Sequence, residues 1–159
     1  MTVCILGNSL TALTLAKALV NYEIDVDVIF NNKNYKINDT RTIGISKDNV
    51  DFFNRNIINI KRLIWNIKAI EIFSENLKKE KLINFKANKD HLFSIVKNNK
   101  LYQLLERDLE KNKFFKSKFS NETNISFLDK YELVINCDSL NFITNRYFSK
   151  KIIKRYKIK

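Results

Sequence analysis

Residues 4–19, CILGNSLTALTLAKAL, decide the fold of this chain. An apolar run ends at Gly7, a short polar turn follows, and Ala and Leu then recur at helical spacing. This order predicts a strand over Thr2–Leu6 and a helix over residues 10–21, and the alternating residues 24–30 predict a second strand. A strand, a helix and a strand within about thirty residues indicate a right-handed βαβ unit of a parallel sheet.

The turn after the first strand carries one of the three glycines that a dinucleotide-binding turn uses. The three positions read Gly7, Ser9 and Ala12, and alanine is tolerated at the third, where helix and strand pack. Ser9 places a side chain where a pyrophosphate would approach the backbone. The acidic residue that would bind a ribose is missing; its place falls on Phe30 or Asn31, of which Asn31 can hydrogen-bond a hydroxyl. The motif alone leaves two interpretations open, a dinucleotide site and a strand–turn–helix without a ligand.

The composition is that of a globular chain with a strong positive charge. Its 159 residues are 45% hydrophobic, which is enough for one domain with a core. The net charge of +12 attracts anions and anionic surfaces. The lysines are spread along the whole chain, and no zinc-finger, helix-turn-helix or ribonucleoprotein motif is present. We therefore expect no specific nucleic-acid partner, and a basic module that binds nucleic acid or a membrane surface is the less favoured alternative.

The cysteines and the apolar runs indicate the cell compartment. Cys4 and Cys137 lie in separate apolar runs without a CxxC pair, so we interpret them as buried free thiols in a reducing compartment. The sequence shows no secretory signal pattern and no apolar run of the ~18–20 residues that a membrane span needs. We expect a cytoplasmic protein without a metal site. Contact with the inner face of a membrane through the basic residues 150–159 is an alternative.

The rest of the chain predicts an antiparallel layer and a return to the first sheet. Residues 42–45 are extended, and Ser46 is the N-cap of a helix. Further strands are predicted at 67–73, 82–85 and 92–96, a helix at 100–111, and strands at 114–119, 126–128 and 132–137. We interpret residues 1–159 as a single partial domain. It has a nucleotide unit over 1–46, an antiparallel insertion over 66–96, and a helix with a returning strand over 98–145.

Four segments resemble, in the right order, the FAD-dependent aromatic-ring hydroxylases. The first is the Gly7 turn, and the second is DTRTIGIS at 39–46, which resembles D-x-R-x-x-A-L-S. The third is NNKL at 98–101 with Leu105, which resembles N-x-x-L-x-x-x-L, and the fourth is LVINCDSLN at 133–141, which resembles L-V-x-A-D-G-x-x-S. The closest branch is the ubiquinone-biosynthesis hydroxylases, relatives of para-hydroxybenzoate hydroxylase. Ser139 and Phe142 depart from the last pattern.

This resemblance implies a fold, a cofactor and a set of contacts. The fold is α/β, with a Rossmann-like FAD-binding βαβ unit and an antiparallel β insertion, incomplete at the C-terminus. In the family, NADH or NADPH reduces the flavin, which then hydroxylates an activated ring, here an aromatic or quinone-precursor substrate. Arg41 would approach the flavin side of the cofactor and Asn98 would touch the flavin region. The pyrophosphate would meet the backbone of Gly7, Asn8, Ser9, Leu10 and Thr11.

The chain resembles only the front half of such an enzyme. It stops at Lys159, before the G-D segment that holds the ribityl chain in the family. We therefore leave enzymatic activity open and name no catalytic residue. A truncated or decayed remnant that binds no cofactor stands as the alternative to FAD binding.

Overall fold

The structure is a computed structural model, which describes residues 1–31, 40–75, 81–86, 91–120, 125–141, 143, 144 and 146. Nine strands and three α-helices are described in these ranges. In chain order they are β1 (Thr2–Leu6), α1 (Leu10–Val20), β2 (Asp25–Phe30), β3 (Thr42–Ile45), α2 (Lys47–Phe52), β4 (Ile64–Ile67), β5 (Ala69–Phe73), β6 (Lys81–Lys86), β7 (Phe93–Lys97), α3 (Asn98–Leu109), β8 (Phe115–Phe119) and β9 (Leu133–Asn136).

The centre of the fold is a four-stranded parallel sheet in the order β8-β2-β1-β9. The predicted βαβ unit is confirmed, because β1 and β2 pair in parallel and α1 connects them. The prediction that the last strand returns to this sheet is also confirmed, since β9 pairs in parallel with β1. β8 adds the opposite edge beside β2. The chain therefore has the predicted α/β class with a Rossmann-like sheet.

Helices α1 and α3 cover one face of this sheet. Alternate residues of β1 and β2 point to them, and the apolar positions of both helices fall on the buried side, as the helical spacing predicts. Their contact removes apolar surface from water, which is the main stabilisation of the sheet. The side chains that form this core include Val3, Ile5, Ala12, Leu13, Ala16, Val20, Val26, Val28, Leu101, Leu105 and Leu109.

The other face of the sheet is covered by the segment between β8 and β9. Leu128 and Tyr131 of this segment pack on Cys4, Leu6 and Ile29. The prediction of a strand at 126–128 is wrong, because Ile125–Leu128 forms a 3₁₀-helix. A short apolar run does not reveal its own period, and here the run crosses a sheet face instead of joining an edge.

Asp27 is the one charged residue that is buried in the described part of the chain, at 7% exposure. It lies on this second face, where its carboxylate accepts hydrogen bonds from Lys118 Nζ and, at 2.7 Å, from Tyr131 Oη. Burial alone would raise the pKa of Asp27, but the two hydrogen bonds together with the positive charges of Lys118 and Lys116 outweigh burial, and the pKa lies below its ordinary value. The same burial, with the Asp27 charge, raises the pKa of the Cys4 thiol to about 12.

The antiparallel strands form two separate sheets. β7 lies between β3 and β4 and is antiparallel to both. β5 and β6 form a two-stranded sheet. The single strand predicted at 67–73 is divided at Lys68, because β4 pairs with β7 whereas β5 pairs with β6.

The helix after β3 begins where the sequence predicts. Ser46 Oγ accepts a hydrogen bond from the Asn49 N–H at 3.2 Å, so the predicted N-cap is confirmed. After Phe52 the helix continues as a π-helical turn over Phe53–Ile57. Sequence-based interpretations at three places lie outside the described residues: Asp39, Phe142 and the basic end from residue 147 onwards. No helix in the described ranges combines the length and apolar character of a membrane span.

Candidate nucleotide-binding groove

Gly7 makes the turn from β1 into α1 in a backbone conformation that other residues rarely adopt. Its φ angle is +105°, in the region that favours glycine. Space is also restricted, because a Cβ at this position would lie 3.0 Å from the Asp138 Cβ and 3.3 Å from the Asp138 nitrogen. The Gly7 N–H donates to the Ile29 carbonyl at 2.8 Å, which fixes the turn against β2. Both the φ angle and the approach of Asp138 therefore require glycine here.

The N-terminus of α1 follows directly and points its free backbone groups out of this turn. Ser9 is the N-cap, and its Oγ accepts a hydrogen bond from the Ala12 N–H at 3.3 Å. In the described part of the chain, the N–H groups of Leu10 and Thr11 have no hydrogen-bond partner. The first turn contains no acidic residue. Free N–H groups and the positive end of the helix dipole favour an anion at this position.

A groove crosses the carboxyl ends of β2, β1 and β9, where parallel α/β sheets commonly bind ligands. Its main cavity has a volume of about 300 Å³. An adjoining hollow continues past Gly7 to Leu6, Ile29 and Phe127. Eight residues line the main cavity: Gly7, Asn8, Ser9, Phe30, Asn31, Cys137, Asp138 and Leu140.

The turn after β9 forms one wall of the groove through side-chain hydrogen bonds. Asp138 Oδ1 accepts from the Leu140 N–H at 2.9 Å, so the Asp138 side chain stabilises the turn. Asn136 Oδ1 accepts from the Asp138 N–H at 3.1 Å and from Asn141 Nδ2 at 2.6 Å. Our site prediction did not include Cys137 or Asp138. The parallel return of β9 was the signal that could have found them, since it places their turn at the same edge as Gly7.

The end of β2 forms the opposite wall and is uncharged. Phe30 contacts Phe119 edge to face, with ring centroids 6.1 Å apart, and its carbonyl accepts the Ser120 N–H at 2.9 Å. Asn31 is exposed beside them and lines the cavity. Across the groove, burial raises the pKa of Cys137, so its thiol is neutral at physiological pH. The groove thus combines free N–H groups, an amide and aromatic surface with one carboxylate, that of Asp138.

Arg41 and Asn98 form a second group in the structure. The Asn98 N–H donates to the Arg41 carbonyl at 3.0 Å, where β3 and the start of α3 meet. The Arg41 side chain is exposed, whereas Asn98 Oδ1 is buried and accepts no hydrogen bond from the described residues. Neither belongs to the described residues that line the groove.

Six of the eight predicted site residues therefore fall into two groups, and the other two lie beside the groove at the start of α1. Gly7, Asn8, Ser9 and Asn31 line the groove together, and Arg41 lies with Asn98. Leu10 and Thr11 flank the groove at the start of α1, where Leu10 packs on the core and the Thr11 side chain is exposed.

Comparison with known proteins finds similarity in fold. No family model and no curated protein matches the chain. The solved structure of p-nitrophenol 4-monooxygenase PnpA from Pseudomonas putida DLL-E4 is similar over 74% of this chain and 32% of its own, with a TM-score of 0.61 and 12% identity. The structure of PqsL from Pseudomonas aeruginosa in complex with 2-aminobenzoylacetate is similar over 75% of this chain and 33% of its own, with a TM-score of 0.61 and 15% identity.

The structure of HpxO from Klebsiella pneumoniae, complexed with FAD and uric acid, is similar over 74% of this chain and 30% of its own, with a TM-score of 0.57 and 16% identity. The chain thus spans about a third of the length of these three structures. At these identities the comparison shows a shared fold, that of part of FAD-dependent monooxygenases. It does not distinguish the ubiquinone-biosynthesis branch from the others.

Proposed function

We propose that this chain binds FAD in the groove at Gly7, as the nucleotide-binding part of a flavin-dependent aromatic-ring monooxygenase. The observation that carries the proposal is the Gly7 turn, where a positive-φ glycine leads into a helix whose Leu10 and Thr11 N–H groups are free at the ends of parallel strands. The similarity in fold to PnpA, a monooxygenase, and to HpxO, which is complexed with FAD and uric acid, supports FAD as the ligand.

The described residues offer suitable groups for each part of FAD. The Leu10 and Thr11 N–H groups would hold the pyrophosphate at the helix N-terminus, and the Asn31 amide would bind a ribose hydroxyl. The Arg41 guanidinium suits phosphate or ribityl oxygens. Asn98 Oδ1, buried without a donor among the described residues, would accept an N–H from the flavin ring. FAD, once bound and reduced, would supply the oxygen-activating chemistry.

The finer assignment rests on the sequence segments. Residues 39–46, 98–105 and 133–141 support the ubiquinone-biosynthesis branch, with an aromatic or quinone-precursor ring as substrate, a nicotinamide cofactor as reductant and a cytoplasmic location. We propose hydroxylation only for a protein as long as the similar solved structures, because an activated flavin needs an enclosed, water-excluding site. In such a protein, residues 1–159 would bind the cofactor.

One arrangement favours a second candidate, a fold that binds no nucleotide. Ser9 Oγ occupies the Ala12 N–H that a phosphate could use, and the Asp138 carboxyl group lies beside Gly7, where it would repel a pyrophosphate. The end of β2 also lacks the carboxylate that commonly binds the ribose. A decayed relative of the monooxygenases would retain the turn as a structural element in this way.

A titration of the purified chain with FAD, followed by flavin fluorescence, decides between the two. We expect saturable binding in the micromolar range. Arg41→Ala should weaken it about tenfold, because a charge-assisted hydrogen bond is lost. Arg62→Ala is the matched control, since Arg62 is an exposed arginine outside both groups of predicted site residues, and it should leave the affinity unchanged. Absence of saturable binding by a chain that circular dichroism shows to be folded would favour the second candidate.

A further inference from the structure

The two strands β5 and β6 form a ribbon with one polar and one apolar face. Cross-strand partners in an antiparallel pair point to the same side, and the pairs Ile70–Phe85 and Ile72–Ile83 therefore share one face. We call this set, Ile70, Ile72, Ile83 and Phe85, the apolar face of the ribbon. The opposite face has Glu71 opposite Asn84 and Ala69 opposite Lys86.

The apolar face is open to solvent. Ile72 and Ile83 are each 43% exposed and Phe85 is 53% exposed. At the far end of the ribbon, beside an irregularity in the pairing, Phe73 and Leu82 are 51% and 56% exposed. Among the described strands, β5 and β6 pair only with each other. A two-stranded ribbon is marginally stable in water on its own, so a contiguous apolar face of this kind indicates a binding surface.

Lysines lie on the opposite, polar face, near the two ends of the ribbon. Lys81 and Lys86 stand at the two ends of β6. Lys81 forms an ion pair of 2.6 Å with Glu71 and lies 5.9 Å from the centre of the Phe73 ring. Its charge is thereby kept on the Glu71 face, with its alkyl stem beside an aromatic side chain. An element with one apolar face and lysines on the other is the arrangement that lies in the headgroup region of an anionic bilayer.

The charge of the whole chain favours a bilayer over a second copy of the protein. Each copy carries a net charge of +12, so two copies that bring their ribbons together repel one another. An anionic phospholipid surface attracts the same charge, at about 1 kcal/mol for each lysine or arginine near the headgroups. Apolar insertion and electrostatic attraction act together only on the lipid surface.

We propose that the apolar face of the ribbon β5–β6 docks the protein on an anionic phospholipid bilayer. The isoleucines and Phe85 enter the boundary between headgroups and acyl chains, and the long side chains of Lys81 and Lys86 extend from the opposite face to the lipid phosphates. This proposal does not depend on FAD binding. It locates the membrane contact in the ribbon, whereas the sequence alone points to the basic residues 150–159.

Co-sedimentation with lipid vesicles tests the proposal on the full chain. Vesicles of phosphatidylcholine with about 30% phosphatidylglycerol should bind the protein at least tenfold more tightly than pure phosphatidylcholine, and added salt should weaken the binding. The double variant Ile83→Thr/Phe85→Thr keeps the strand preference of both positions but removes their apolar surface. It should bind anionic vesicles about tenfold more weakly. Asn84→Thr, on the opposite face of the same strand, should bind like the wild type.

A second measurement reads the depth of insertion without weakening the ribbon. In a Trp65→Phe background, Phe85→Trp and Asn84→Trp each provide a single tryptophan, one on each face. Vesicles with brominated acyl chains should quench the fluorescence of the first several times more strongly than that of the second.

Three results would overturn the proposal. The first is equal quenching of the two tryptophans, and the second is undiminished vesicle binding by the double variant, which would assign the binding to another basic segment. The third is a wild-type dimer in light scattering that the double variant converts to a monomer, which would assign the face to a second copy.

Discussion

The parallel sheet and the antiparallel strands contain the same kinds of residue under different constraints. Each has one of the two glycines, Gly7 or Gly44, and each leads into a helix that a serine caps, Ser9 or Ser46. Each also has a carboxylate paired with a lysine. The central strands β1 and β2 of the parallel sheet are buried on both faces, whereas Gly44 and the ribbon are exposed. The same residue type should therefore be essential in the first region and replaceable in the second.

The largest expected difference is between the two glycines. Gly7→Ala forces a side chain into a φ of +105° and to within 3.0 Å of the Asp138 Cβ. We expect the free energy of unfolding to fall by about 2–4 kcal/mol, from backbone strain together with overpacking. Urea denaturation followed by circular dichroism measures this loss.

Gly44→Ala is the matched control for Gly7→Ala. A Cβ at Gly44 would lie 3.7 Å from the Phe93 ring, which is an ordinary contact. Alanine restricts the unfolded chain more than glycine does, so we expect a stabilisation of about 0.5 kcal/mol. Equal losses in the two variants would contradict the distinction between the regions.

The second expected difference is between the carboxylates. Asp27→Asn removes the charge that a buried pair of hydrogen bonds stabilises and should lower the free energy of unfolding by about 1–2 kcal/mol at neutral pH. In the ribbon, Glu71→Gln breaks an ion pair whose side chains are 39% and 42% exposed, so its cost should be about 0.5 kcal/mol or less.

The pH dependence of the Asp27 contribution has a definite sign. In the folded state the pKa of Asp27 lies below its ordinary value of 3.8. The ionised form therefore stabilises the fold fully above the unfolded-state pKa, and this stabilisation is lost as the pH falls through the folded-state pKa. The difference in unfolding free energy between wild type and Asp27→Asn should be constant from pH 7 to about 5 and shrink in more acidic buffer. A difference that grows on acidification would contradict the assignment.

Local signals in the sequence predicted much of the parallel sheet. The apolar run, the glycine and the helical spacing of residues 2–30 each depend on neighbours close in sequence, and β1, α1 and β2 follow from them. The N-cap at Ser46 could also be predicted, because it depends only on residues close to Ser46 in the sequence. The resemblance to aromatic-ring hydroxylases agrees in fold with the monooxygenase structures.

Contacts between distant residues could not be predicted in this way. Tyr131 binds Asp27 across 104 positions, and nothing near Asp27 in the sequence indicates such a donor. The approach of Asp138 to Gly7 likewise depends on the register of β9 against β1. The division at Lys68 arises because β4 and β5 have different partners, while the apolar pattern runs through both. These features come from the tertiary arrangement, and the position of Asp138 is the one that bears on the candidate site.

The smallest expected difference in stability, and the most informative for function, is between the two capping serines. Ser9 Oγ accepts from Ala12 at 3.3 Å and Ser46 Oγ from Asn49 at 3.2 Å, so the caps are alike. Replacing either by glycine should cost only a few tenths of a kcal/mol, because glycine is itself an acceptable N-cap. Ser9→Gly also frees the Ala12 N–H and opens the approach to the helix N-terminus, so FAD affinity should rise about three- to tenfold.

Ser46→Gly should lose the same small stability and leave FAD affinity unchanged, because Ser46 does not belong to the described lining of the groove. Isothermal titration of the two variants with FAD separates the loss of a cap from the gain of a phosphate contact. A gain in both variants would show that loosening a helix end is sufficient and that the groove has no special role. A gain in Ser9→Gly alone would mean that the free N–H groups of α1 receive the pyrophosphate. No binding of FAD by either variant would mean that the Gly7 turn persists because the parallel sheet requires it, with no nucleotide involved.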